Sequence, residues 1–169
     1  MSWQLVLPIA VLCVLALVTA WLASAVHEAA HALCARSFGL GVLAVNVGKG
    51  PVVAEWHVGT ALVTFRVLPG RSFVLYTWPT DRRPAVPVAL TAAAGPVASI
   101  VIGGVVLWLA TGSGIGGWPL GIAVIFGSMN VLGGLGNLIP IPRIGPARMG
   151  SDGWVILSQM LRLPSARAR

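Results

Sequence analysis

Acidic residues are almost missing from this chain. Among 169 residues there are four, Glu28, Glu55, Asp81 and Asp152, against eleven Lys and Arg, so any carboxylate chemistry has to draw on that short set. Charge of either sign is scarce, at 9% of residues, where soluble chains carry roughly 25%. No Asp, Glu, Lys, Arg or His occurs in residues 1–26, nor again in residues 84–142. Apolar runs of that length exceed the roughly 20 residues that cross a bilayer, and with 57% hydrophobic residues and a mean hydropathy of +0.90 they exclude an ordinary soluble domain. Cysteine is limited to Cys13 and Cys34. On a single helix the two would stand roughly 30 Å apart, too far to bridge, which excludes a disulfide scaffold. The net charge of +7 invites a nucleic-acid reading, but the basic residues are scattered at the ends of apolar segments and serve as topology signals instead.

What is present is organised as membrane segments around one short region of different pattern. The first apolar segment runs from Trp3 to about Ser37, with Pro8 tolerable only near its start. It is too long, and too polar at its far end, for a cleaved signal peptide, and it lacks a basic leading region. From Gly39 to Trp78 short β-branched and aromatic stretches (Val42–Val47, Val52–Trp56, Ala61–Leu68, Ser72–Tyr76) alternate with Gly48, Gly50-Pro51, Gly59 and Pro69-Gly70. That pattern predicts three or four short strands with tight turns. A second span over 85–110, a glycine-rich turn at 111–117, a third span over 118–139 and a short apolar piece from Trp154 to Leu163 complete the chain. The expected fold is therefore a mainly α membrane protein: about three transmembrane helices, a small membrane-associated β-region (42–78) between the first two, and a short C-terminal helix. Residues 1–163 form one core without an accessory domain, and 164–169 a flexible basic tail.

Three crossings put residues 36–83 and everything after the third span on one side. All eleven Lys and Arg fall there: Arg36, Lys49, Arg66, Arg71, Arg82, Arg83, Arg143, Arg148, Arg162, Arg167 and Arg169. The positive-inside rule makes that side cytoplasmic, with the N-terminus outside. Trp3, Trp108 and Trp118 then fall at the outer interface and Trp78 and Trp154 at the inner one.

The chemistry sits in His27-Glu28-Ala29-Ala30-His31. Histidines four apart on a helix project from one face and can share a metal ion, while the glutamate between them lies beside the remaining coordination position. A catalytic zinc takes three protein ligands and keeps one position open. For the third ligand the residues offer several choices. Asp152 follows the third span on the same side of the membrane as the far end of the first helix. Glu55 and His57 alternate on an expected strand, where a solvated hairpin face is their plainer role. Asp81 stands beside Arg82, Arg83 and Pro84 as a turn acid. Cys34 lies on the metal face of the helix, although a small buried hydrophobe is the commoner use of such a residue. Asn130, Gly134 and Asn137 share one face of the third span, and Gly95, Ser99 and Gly103 make a small-residue stripe on the second that reads as close helix packing only.

Four features together resemble the site-2 protease family of intramembrane zinc metalloproteases. They are His27-Glu28-Ala29-Ala30-His31 at the end of a membrane helix; Gly48-Lys-Gly-Pro51 followed by strands and Leu68-Pro69-Gly70; Ala94-Gly95-Pro96 opening the next helix; and Asn137-Leu-Ile-Pro-Ile-Pro142 followed by Asp152-Gly153. The resemblance implies one Zn2+ per chain held by His27, His31 and Asp152, with Glu28 as general base and acid and Asn137 positioning substrate or stabilising the oxyanion. Two departures stand out: residues 143–151 separate the second proline from Asp152, and Gly70 is followed by Arg71 where the family pairs glycines. The implied activity is cleavage of a membrane-spanning protein in or near its membrane segment, at the bacterial plasma membrane, with the lipid bilayer and a regulatory membrane protein as further partners and no role for nucleic acid. A membrane zinc carrier, or an inactive scaffold of the same fold, are the competing readings.

Overall fold

The computed structural model describes residues 3–77, 85–142 and 150–161, side chains from residue 6 onward. Three long apolar helices carry most of the chain: α1 (Trp3–Ser37), α2 (Ala85–Gly112) and α3 (Gly117–Leu138). Each is long and apolar enough to cross a membrane. A four-stranded sheet, β1 (Gly41–Val47), β2 (Lys49–Val58), β3 (Ala61–Leu68) and β4 (Phe73–Thr77), fills the connection from α1 to α2, and a short α4 (Asp152–Met160) follows α3. The expected tail at 164–169, together with Trp78, Asp81, Arg82 and Arg83, lies outside the described residues.

The strand order is β2-β3-β1-β4, with β1 parallel to β3 and antiparallel to β4, and β2 antiparallel to β3. The β2–β3 hairpin closes through Gly59-Thr60, where Gly59 takes φ +64. Gly50-Pro51 does not break the chain before β2, as its composition suggests; the strand runs through it. Pro51 is tolerated because β2 is an edge strand, where a missing N–H removes no bond from the interior of the sheet. Gly48 makes the reversal from β1 into β2 at φ +91, and a Cβ there would collide with the Leu68 and Arg66 carbonyls.

The sheet lies beside α1, not beyond its end. Ala35, Leu40, Val42 and Ala61 form a buried cluster, with Ala32, Val45, Val74 and Tyr76 packed against it. Further back, the Trp21 indole N–H donates to the Arg66 carbonyl at 2.7 Å and its ring packs on Phe65 at 4.4 Å. Trp21 precedes Ser37 by sixteen residues, about 24 Å of helix, so the sheet reaches well into the depth of the apolar span. Arg66 is accommodated there because its guanidinium donates to Asn46 Oδ1 and to the Gly50 carbonyl, each at 2.8 Å.

Helix α2 is the hub, touching α1, α3 and α4. Its approach to α3 depends on glycine. A Cβ on Gly103 would meet the Gly127 carbonyl and the Asn130 side chain, and one on Gly134 would meet the Pro96 carbonyl and Ser99. Thus Gly134, and the buried Asn130 whose Nδ2 donates to the Phe126 carbonyl of its own helix, serve the α2–α3 contact. Of the Asn130-Gly134-Asn137 face, Asn130 and Asn137 line a cavity that His27 and Glu28 also border, and Asn137 is the member that reaches His27.

Candidate metal centre and active site

His27 and His31 project from one face of α1, both buried, and Asp152 meets them as the first residue of α4. His27 Nε2 stands 3.1 Å from His31 Nε2 and 3.1 Å from Asp152 Oδ2, and His31 Nε2 stands 3.4 Å from the same oxygen. Donors each about 2.0–2.1 Å from one tetrahedral zinc ion are separated from one another by about 3.3 Å, so the three atoms already have the spacing that a shared ion requires. Among the described residues this is the one group of three His, Cys, Asp or Glu residues close enough to hold a metal. The remaining ring nitrogens are occupied from behind. His31 Nδ1 donates to the Thr91 carbonyl at 2.6 Å, which leaves the Nε2 lone pair facing the other donors, and His27 Nδ1 lies 3.1 Å from Ser99 Oγ. A partner on the outer nitrogen is what fixes the tautomer of a metal-binding imidazole.

Asp152 reaches the histidines across the longer connection because Ser151 anchors it. The Ile141 N–H donates to Ser151 Oγ at 2.9 Å, Ser151 Oγ donates to the Ile139 carbonyl at 2.6 Å, and the Ser151 N–H donates to the Ile141 carbonyl at 3.1 Å. The same hydroxyl caps α4 by accepting from the Trp154 N–H. Gly153 lets the end of α4 press onto Leu138, whose carbonyl a Cβ would strike. Burial alone would raise the Asp152 carboxyl, but the two imidazoles of His27 and His31 beside it outweigh burial and hold the group below its ordinary value.

Two further groups complete the centre. The Asn137 side-chain amide, one residue before the end of α3, lies 3.3 Å from His27 Nε2. Glu28 is 6% exposed, yet its carboxylate makes no hydrogen bond or ion pair among the described residues. A buried carboxylate without a protein partner is costly unless water or substrate meets it. It borders two cavities. One, of about 320 Å³, is bounded by Ser72, Phe73, Val74 and Tyr76 of the β4 region and by Asp152 and Val155 of α4. The other, of about 490 Å³, lies between α1 and α3 under Gly70, Arg71 and Ser72.

The remaining candidates for the third ligand are elsewhere. Glu55 is exposed on β2 and accepts from Thr64 Oγ1 at 3.0 Å, His57 is exposed on the same strand, and Cys34 is half-buried away from the donor group; Asp81 lies outside the described residues. The stripe on α2 is where the sequence reading needs correcting. Gly95 and Ser99 do more than pack helices: Ser99 supports His27, and a Cβ on Gly95 would collide with both imidazoles. Thr91, Gly95 and Ser99 recur every four residues, a spacing visible in the sequence, but which neighbour that face meets depends on how α1 crosses α2. Position along the helices is corrected too: His27, expected at the end of its helix, lies ten residues before the end of α1, about 15 Å inside it, and Ala94-Gly95-Pro96, expected to open α2, lies within it.

Gly95→Ala is therefore expected to weaken zinc binding by roughly 10- to 100-fold, the usual cost of disturbing the groups that support metal ligands. Gly104→Ala, whose Cβ meets nothing, is expected to bind normally. Chelator competition on the purified variants measures both, and equal weakening in the two would remove the special role given to Gly95.

A membrane-embedded chain with two helical histidines, an aspartate and an unpaired glutamate converging inside the span has the makings of a metal-dependent hydrolase. The model of peptidase family M50 matches residues 10–118, well over half of the chain, and the chain belongs to this family, the site-2 protease family of membrane-embedded zinc metalloproteases. No curated protein matches it. The matched residues include His27, Glu28, His31 and Gly95 and stop short of Asn137 and Asp152, so the placement of these two at the centre rests on geometry.

Proposed function

We propose that this chain is an intramembrane zinc endopeptidase that hydrolyses a peptide bond in or near the transmembrane segment of another membrane protein. The observation that carries the reading is Glu28: a buried, unpartnered carboxylate beside three converging metal donors, open to a cavity. A metal carrier would use the donors but has no need of that carboxylate. Family membership supports peptidase chemistry.

His27, His31 and Asp152 would hold the zinc ion, which when bound makes water more acidic and polarises a carbonyl. Glu28 accepts a proton from the attacking water and delivers it to the leaving amine as the C–N bond breaks. The Asn137 amide is placed to donate to the substrate carbonyl oxygen. A transmembrane helix hides its carbonyls in its own hydrogen bonds, so the substrate has to unwind locally before it can react. The sheet offers the unwound segment a place. β4 lies at the edge of the sheet beside β1, and its Phe73, Val74 and Tyr76 border the cavity, which suits addition of a substrate strand.

The distribution of Lys and Arg supports an orientation with the N-terminus outside and the C-terminus in the cytoplasm. Cleavage is then expected in the cytoplasmic half of the substrate's span. Gly, Pro or Asn near the cut should favour it, because less free energy is needed to expose a carbonyl, and replacing them with Leu should slow the reaction. The test is to incubate the zinc-loaded protein in vesicles with a panel of single-span proteins and to map the products by mass spectrometry. Cuts confined to the outer half would overturn the orientation, and cleavage of soluble folded proteins alone would overturn the intramembrane assignment.

A further inference from the structure

The cavity between α1 and α3 is bordered by the link from β3 to β4, Gly70-Arg71-Ser72. This link is pinned in place. Buried Asn46 donates through Nδ2 to the Gly48 carbonyl at 2.8 Å and to the Arg71 carbonyl at 3.1 Å, and its Oδ1 accepts from Arg66 Nε at 2.8 Å. The Gly48 N–H donates to Ser72 Oγ at 3.1 Å. Asn46 thus spends both amide hydrogens and one lone pair of Oδ1 on tying the turn at Gly48, the link and Arg66 together.

Within the link Arg71 adopts φ +56 and is the one non-glycine residue with positive φ among the described residues. That conformation costs an L-residue free energy that glycine avoids, and the neighbouring Gly70 takes φ +95 without the cost. Strained backbone positions at the edge of a reaction cavity suggest a side chain kept for use. The guanidinium has no use within the described protein. Arg36 donates to the Val58 carbonyl and Arg66 to two acceptors, whereas the Arg71 guanidinium makes no hydrogen bond or ion pair among the described residues. Of the acids, Asp152 is engaged with the histidines, and Glu28 makes no pair with Arg71.

We propose that Arg71 forms an anionic subsite of the catalytic cavity, taking the carboxylate of a substrate Asp or Glu close to the scissile bond. The inference rests on the proteolytic reading above. The planar fork of a guanidinium matches a carboxylate with two parallel, charge-assisted hydrogen bonds, and Arg71 is exposed where it borders the cavity. Position argues for substrate over a lipid phosphate, because Arg71 borders the same cavity as His27, Glu28 and Asn137. It also directly precedes the β4 edge, so a strand laid along β4 passes beside it.

The test uses the zinc-loaded protein in vesicles and a cleaved single-span substrate in which Glu, Gln and Lys are placed in turn at each position flanking the cut. The unaltered chain is expected to prefer Glu over Gln by about 10-fold at one position, the size of one charge-assisted pair, with the ratio shrinking as salt rises. In Arg71→Gly the ratio falls to about one, and in Arg71→Glu the preference passes to Lys, a reversal that a purely structural role would not produce. A ratio of one at every position in the unaltered chain, or a Glu preference that survives in Arg71→Gly, overturns the subsite. So does a change in activity with anionic lipid content that depends on Arg71 while substrate charge has no effect. If no substrate in the panel is cleaved at all, the proteolytic reading fails and the subsite falls with it.

Discussion

Glu28→Gln is expected to bind zinc as tightly as the unaltered chain and to cleave its substrate about 10²- to 10⁴-fold more slowly, the range that loss of a general base and acid produces. Glutamine preserves the size of the side chain and its contacts but cannot take a proton from water. Retention of zinc follows from the geometry: Glu28 is adjacent to the donor group and outside it, since the three close atoms belong to His27, His31 and Asp152. Folding should not suffer. The native carboxylate makes no hydrogen bond among the described residues, so the neutral amide loses no partner and lowers the cost of burying a charge. Metal content and cleavage rate measured on one preparation separate the two roles. Substantial cleavage by a zinc-loaded Glu28→Gln would remove Glu28 from the chemistry, and loss of zinc would make it a ligand.

The sequence makes some parts of this architecture readable and hides others for physical reasons. Apolar runs and helical spacing are local, so three spans and the His27–His31 pair can be read directly, within two residues at the ends of α2 and α3. Strand content is local as well, and Val42–Val47 and Ala61–Leu68 fall on β1 and β3 almost residue for residue. Pairing is not local. That β1 lies parallel to β3, with β2 displaced to the edge, goes with how the sheet packs along α1 from Trp21 to Ala35, and no short window of sequence contains it. The same limit explains Gly95. A glycine in an apolar helix reads as close packing, and only the crossing of α1 over α2 shows that the atoms approaching it are imidazole nitrogens. Asn46 passes unnoticed for a related reason: one asparagine in a β-branched strand carries no motif, and its value comes from three partners brought together by the turns at Gly48 and Arg71. Asp152 becomes one candidate from composition, because acids are so few, and its choice over Glu55, Asp81 and Cys34 comes from the resemblance of Asn137 to Pro142 and Asp152-Gly153 to the family.

Asp152→Ala and His31→Ala are each expected to lose zinc by more than the roughly 100-fold that disturbing a supporting group can cost, and to lose cleavage with it. Glu55→Ala and Cys34→Ala should keep both. The reason lies in how the donors are arranged. His31 Nδ1 is committed to the Thr91 carbonyl and His27 Nδ1 to Ser99, so each imidazole has one nitrogen left, and removing Asp152 leaves two neutral donors where a divalent ion prefers an anionic third. Among the described residues no other acid can move in: Glu55 is held on the far edge strand by Thr64, and Glu28 would have to abandon the position from which it serves as base. Because α4 stays anchored through Ser151, which bonds Ile139 and Ile141 independently of the carboxylate, the Asp152→Ala chain should fold, its melting temperature without metal lowered only by loss of the contacts with His27 and His31. Zinc added to the unaltered protein should raise the melting temperature, since a ligand bound to the folded state alone stabilises it, and the same addition to Asp152→Ala should not. A full zinc-induced shift in Asp152→Ala, together with a lost shift in Glu55→Ala or Cys34→Ala, would move the third ligand off α4 and with it the account of why α4 is held against the histidines.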